Sequence, residues 1–137
     1  MAWRIEDHTA DVVLVVEAPT LKELFEESVL ALAGYIAGKE ISCEDCQAKR
    51  IVQVSSPEID LLIADFLNEV LSASIVDKVL YCQAKIQDLE TEDENHVVAE
   101  LCGIHTDWEH DVKAVTYHDL KLEKTKSGYL FKCVLDI

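Results

Sequence analysis

The sequence predicts an α+β protein in a single domain, residues 1–137, with two amphipathic helices packed on one face of a largely antiparallel sheet. Three observations predict it. Apolar residues recur at helical spacing in only two stretches, both in the first two-thirds of the chain. From Val79 onward the period falls to two, which gives a run of strands. The order β-β-α-β-α followed by strands alone lacks the regular alternation that builds a parallel sheet. The length of 137 residues, half of them hydrophobic, suits one compact core, and no internal repeat or low-complexity segment divides it.

Each element has its own signal. Trp3 to Asp7 and Val12 to Glu17 read as strands, the second a β-branched run suited to a sheet interior, and Pro19 ends it. Thr20 with Glu23 forms a capping box, and Leu21, Leu24, Phe25, Leu32, Tyr35 and Ile36 share one face of the helix that follows. Gly38 is placed to end that helix. After a polar loop, Arg50 to Ser55 alternates as a strand. Ser55-Ser56-Pro57-Glu58 then starts a second helix with proline in its first turn. Its apolar stripe is Ile59, Leu62, Ile63, Phe66, Leu67, Val70, Leu71 and Ile75; Glu58, Asp65, Asn68 and Glu69 take the other side. Leu80 to Gln87 and His96 to Ile104 form a hairpin across the acidic connection Asp88 to Asn95. Lys113 to His118, Leu120 to Lys124 and Tyr129 to Leu135 complete the strands.

Twelve basic against twenty-seven acidic residues give a net charge of −15, which repels phosphates and disfavours direct binding to RNA or DNA. The same charge favours encounter with a basic partner and concentrates cations. The start MAWRIEDHTAD has no apolar stretch of a signal peptide, and no apolar run approaches a membrane span. A soluble cytoplasmic protein without membrane contact is therefore expected. Five cysteines, Cys43, Cys46, Cys82, Cys102 and Cys133, are expected as reduced thiols, the last three behaving as small hydrophobes within strands.

Several motifs compete as functional sites. Asp136 and the carboxylate of Ile137 would be adjacent anionic donors, and with Asp11 folded beside them would make a hard-cation site. Cys43-Glu44-Asp45-Cys46 has a chelating spacing but is half a zinc site, with no second C-x-x-C or histidine pair to complete it. Its intervening acids also raise thiol pKa values. The acidic hairpin lacks the spaced ligands and glycine of an EF-hand. His105, Asp107, His110 and Asp111 lie close in one connecting segment, a pattern that also arises by chance in exposed loops. His8 or His118 could act as a base with Asp11, but no nucleophile motif or metalloprotease motif accompanies them.

Longer stretches carry a family resemblance. They are His8-Thr9-Ala10-Asp11-Val12, Thr20-Leu21-x-Glu23-Leu24-Phe25, Leu61-Leu62 with Phe66-Leu67-Asn68-Glu69-Val70-Leu71, then Gly103, Val112-Lys113-Ala114-Val115-Thr116-Tyr117-His118 and Leu135-Asp136-Ile137. In this order they span the chain, and together the sequence resembles archease. The chain departs from the family pattern at Val13, at Glu17-Ala18-Pro19, at Phe66 and in a short segment from Gly103 to Val112, none of them a ligand position. The resemblance implies an accessory protein, not an enzyme, that promotes guanylylation and multiple turnover of an RtcB-type tRNA-splicing RNA ligase. It also implies a divalent metal, calcium in family members, on Asp11, Asp136 and Ile137, with no catalytic residue. Two other readings stand beside it: a general chaperone or modulator of tRNA-processing or tRNA-modifying enzymes, and a metal-dependent hydrolase using His8 and Asp11.

Overall fold

The computed structural model describes the backbone of residues 2–8 and 11–137, and the side chains of residues 2–6 and 12–137. Strands β1 (Ala2–His8) and β2 (Asp11–Ala18) form a hairpin, followed by helix α1 (Leu21–Ala37), strand β3 (Ala48–Ser56) and helix α2 (Ile59–Asp77). Strands β4 (Leu80–Glu90), β5 (Asn95–Ile104), β6 (Ala114–Val115), β7 (Lys121–Thr125) and β8 (Gly128–Asp136) complete the chain. The α+β class holds, and all strand pairs are antiparallel.

The strands divide between two sheets. One runs β1-β2-β8, with β6 and β7 both on the far edge of β8; the other is β3-β5-β4. Helix α1 packs on β2 and β4, thus touching both sheets, and α2 packs on β3 while also reaching β6. The main buried cluster joins both sheets and both helices, including Leu14 and Val16 from β2, Phe25 from α1, Phe66 from α2, Leu101 from β5 and Phe131 from β8. Phe25 and Phe66 meet with ring centroids 5.5 Å apart and planes tilted by 56°, a favourable aromatic geometry at the helix crossing.

Strand parity sets the faces of the larger sheet. Val12, Leu14 and Val16 enter the main core, while Val13 and Val15 join Val134 on the opposite face. That valine strip is buried although no helix covers it. Long charged side chains lie over it: Arg4 and Glu6 pair at 3.0 Å, and Lys132 reaches Glu6 at 3.6 Å.

Local signals explain the helix ends. Thr20 is extended and its hydroxyl accepts from the Glu23 amide at 3.1 Å, as the capping box requires. Gly38 ends α1 at φ 73°, and its amide satisfies the carbonyls of Gly34 and Tyr35. Helix α2 differs from expectation: Pro57 lies one residue before the N-cap Glu58 instead of in the first turn, and Glu58 makes no side-chain cap. Its stripe also ends early. Ile75 is 53% exposed and Val76 70%, and the buried residue of that turn is Ser74, whose hydroxyl accepts from the Tyr81 amide.

Candidate functional site

The site assembles at the end of β8. Strand β2 pairs with β8 in a register that sets Val12 opposite Leu135; one residue further on, the two strands reach Asp11 and Asp136. On the other edge of β8, Ala114 faces Asp136 and Val115 faces Leu135. The Lys113 amide donates to the Asp136 carbonyl at 2.7 Å. Asp136 itself is exposed and Ile137 is 44% exposed. The backbone thus brings the Asp11 and Asp136 positions together at neighbouring strand ends, while the side chains of His8 and Asp11, and the whole of Thr9-Ala10, lie outside the described residues.

Strand β6 is only two residues long, shorter than the Lys113–His118 strand expected, and survives because both of its edges are satisfied. Its inner edge bonds β8. At its outer edge, Asn68 of α2 accepts from the Val115 amide and donates to the Val115 carbonyl, both at 2.8 Å. A side-chain amide offers one donor and one acceptor, so it completes a bare strand edge as another strand would. Beyond Val115 the chain stays on β8: the Thr116 amide and hydroxyl both donate to the Val134 carbonyl, at 2.9 and 3.0 Å. The Tyr117 hydroxyl then donates to Asp65 of α2, which also accepts from Ser56. That bond holds the phenol in its protonated form and raises its pKa.

Sequence reasoning set Asp65 and Asn68 on the solvent side of α2. Both are half-buried and fasten α2 to the segment Val115–Tyr117. Asn68 was detectable in principle, because asparagine is a poor residue inside a helix unless its side chain is engaged.

Other candidates disperse. His105, Asp107, His110 and Asp111 form no metal cluster; the His110 ring stacks on Tyr35, with centroids 4.8 Å apart, and the His105 amide donates to Gln47. His118 is exposed and lies 3.3 Å from Asp119. The acidic connection shortens, because β4 and β5 extend to Glu90 and Asn95. Asp77, at the end of α2, accepts from Tyr81 at 2.6 Å and from Arg50 at 2.8 Å, and these bonds depress its pKa. The Tyr81 hydroxyl, buried and bonded to that carboxylate, is pushed up to about 12.

The cysteines depart most from expectation. Cys43 is bonded to Cys82 and Cys46 to Cys102, leaving Cys133 as the free thiol, whose pKa burial pushes up to about 12. Cys82 and Cys102 are therefore not isolated hydrophobes. They meet the C-x-x-C because β4 bulges at Cys82, between the pairs Tyr81–Gly103 and Gln83–Cys102.

Fold and site together define a small α+β protein in which two antiparallel sheets share two helices, and in which the backbone of Asp11-Val12, Lys113–Val115 and Leu135-Asp136 meets at one end of the larger sheet. The chain belongs to the archease protein family, whose model matches residues 3–137. It is 34% identical to the archease of Methanosarcina acetivorans, covering 96% of this chain and 92% of that protein, and 32% identical to that of Archaeoglobus fulgidus over the full length of both. The solution structure of Methanobacterium thermoautotrophicum protein 1598 superposes with a TM-score of 0.74 at 22% identity, covering 98% of each chain. The crystal structure of an archease from Thermotoga maritima, described as a possible chaperone, gives a TM-score of 0.65 at 20% identity, over 96% of this chain and 94% of that one. No helix among the described residues is long and apolar enough to cross a membrane.

Proposed function

We propose that this protein activates an RtcB-type tRNA-splicing RNA ligase by protein contact, promoting its guanylylation and repeated turnover. In this reading Asp11, Asp136 and the carboxylate of Ile137 hold a divalent cation, calcium being the expected one. One observation carries the reading: the segments Asp11-Val12, Asn68, Lys113–Tyr117 and Leu135-Asp136, all of the family wording, meet along the last residues of β8. The donor chemistry fits a hard cation. Carboxylates on neighbouring strand ends repel one another, and a cation that offsets their charge takes oxygen ligands readily. Bound there, the ion would neutralise the carboxylates and keep coordination positions free for a partner group.

This chain's residues supply the frame. Asn68 and Thr116 fix the segment Lys113–Tyr117 against β8, so that the exposed Lys113 stays beside the Asp136 backbone. The net charge of −15 then steers the protein toward a basic enzyme surface.

The test is ligase guanylylation and multiple-turnover RNA joining, measured with and without this protein and with Asp11→Ala at saturating calcium. Stimulation by the parent and its loss in the variant are expected. Failure of the parent to stimulate would sink the ligase reading, and an equally active Asp11→Ala would sink the cation's part in it. Suppressed aggregation of unrelated proteins, with no stimulation, would point to a general chaperone, in keeping with the description of the Thermotoga maritima structure. Turnover of a substrate by the protein alone would point to a hydrolase.

A further inference from the structure

The loop from Gly38 to Gln47 supplies two cysteines, and the paired strands β4 and β5 supply two more. Their meeting does not depend on sulfur chemistry alone. The Gln47 amide donates to the Gly103 carbonyl at 2.9 Å, the Gln47 side chain accepts from the His105 amide at 2.6 Å, and Ala48 pairs with Gly103. These bonds pin the chain immediately after Cys46 to the end of β5, next to Cys102. Across β5, the bulge in β4 sets Cys82 beside Cys102. Gly103 permits the close fit, because a Cβ there would come within 2.9 Å of the Tyr81 ring.

The two cysteine pairs share one locus. Cα separations are 5.9 Å for Cys43 and Cys82 and 5.4 Å for Cys46 and Cys102. The Sγ atoms of Cys43 and Cys82 lie 3.3 and 3.7 Å from the carbonyl oxygen of Cys102, so both pairs converge on one residue. In sequence the C-x-x-C is half a tetrathiolate site; the bulged hairpin provides the other half. Cys82 is buried, Cys43 and Cys102 are half-buried, and Cys46 is open to solvent and offers an ion an entry side. Lys49 is opposite Cys102 in the β3–β5 register, and the groove beside Cys43 and Cys82 carries Lys85 together with Glu23, Glu26, Glu27 and Glu44.

We infer that Cys43, Cys46, Cys82 and Cys102, when reduced, bind one zinc ion that locks the Gly38–Gln47 loop to β4 and β5. The four sulfurs are paired as disulfides and cannot ligate a metal as thiolates, so reduction comes first. Two equivalents of a dithiol reductant supply four electrons and four protons, cleave both S–S bonds and leave as cyclic disulfides. As Zn²⁺ binds, the four thiols release four protons to solvent and give a tetrathiolate complex of charge −2. A tetrahedral four-sulfur set selects zinc or iron over hard cations. Zinc is the ion proposed because it is redox-inert and takes closed four-cysteine sites, and the site is structural because no coordination position stays open.

The experiment reduces the full chain with excess dithiol under argon, removes the reductant, and titrates it with Zn²⁺ and, separately, Co²⁺. One zinc per chain by metal analysis is expected, with four thiols protected from a thiol reagent until a chelator is added. Cobalt should give thiolate charge-transfer bands and the visible bands of a tetrahedral site. Cys46→Ser and Cys102→Ser should each weaken zinc binding by more than the roughly 10–100-fold typical of losing an outer-shell partner. Cys133→Ala should leave it unchanged. The cobalt spectrum of the unsubstituted chain decides the matter even where a variant folds poorly. Reduced protein that takes up no metal, that carries iron instead, or whose Cys46→Ser and Cys102→Ser variants bind zinc as the parent does would overturn the inference. Cysteines that stay paired under the dithiol would overturn it too, leaving them as plain structural disulfides.

Discussion

Replacing Asn68 by alanine isolates the link on which the proposed site depends. The substitution removes the donor and acceptor that complete the outer edge of β6, each at 2.8 Å from Val115. Val115 is 3% exposed, so water restores its amide and carbonyl poorly. Leaving a buried polar group unsatisfied costs about 1–3 kcal/mol, and partial access beside the half-buried Asn68 brings the total for the pair to about 2–3 kcal/mol. For a chain of 137 residues, the unfolding entropy near the midpoint is about 0.29 kcal/mol/K, at ~2.1 cal/mol/K per residue. The expected fall in Tm is therefore roughly 7–10 °C by scanning calorimetry. Glu69→Ala, one residue on and exposed, is the control and should stay within about 0.5 kcal/mol of the parent. An Asn68→Ala protein that melts with Glu69→Ala would refute the reasoning: the β6 segment would then hold through β8 alone.

Other perturbations follow the same physics. Tyr81→Phe should remove an alkaline loss of stability. Because the folded-state pKa of Tyr81 is raised to about 12 from 10.0, its contribution is complete below pH 10 and disappears as pH climbs toward 12, which pH-dependent urea denaturation would reveal. For Asp77 the sign reverses: its depressed pKa makes its contribution fade as pH falls below the ordinary carboxylate range, and acid titration of an Arg50→Met variant should show a smaller fade. Thr20→Ala loses the cap on α1 and should cost about 1 kcal/mol by chemical denaturation. Ile75→Ser should be nearly neutral, whereas Phe66→Ala should cost about 3–5 kcal/mol, although both were expected in the same apolar stripe.

Much of the fold was legible because it rests on local periodicity. The capping box at Thr20, the terminator Gly38 and the alternation through β5 are each set by neighbouring residues, and each appears where expected. The β4–β5 hairpin was equally plain, though its strands run further into the acidic connection than composition suggested, since backbone pairing tolerates charged side chains on an exposed turn. What periodicity misjudged lies where a tertiary contact replaces a local preference. Ile75 keeps helical spacing with the stripe, yet its own face of the last turn of α2 is left open to solvent, while Ser74 and Asp77 are the residues engaged there. Asn68 and Asp65 read as solvent-facing polar residues, yet a second segment arriving from 47 to 52 residues away bonds to both, and Ser56 also donates to Asp65. The cysteine pairs span 39 and 56 residues, a separation on which sequence pattern is silent.

By itself the sequence determined the α+β class, the two helices, the acidic surface and, through its wording, membership of the archease family. These follow from short-range rules and from residue identity. The tertiary structure decided that the strands divide into two sheets, that Val12, Asn68, Val115 and Leu135-Asp136 come together at the β8 end, and that four cysteines converge at a bulge. Those outcomes depend on strand register and on which edges find partners, and such long-range pairings are chosen by the packing of the whole core, not by any stretch of chain alone.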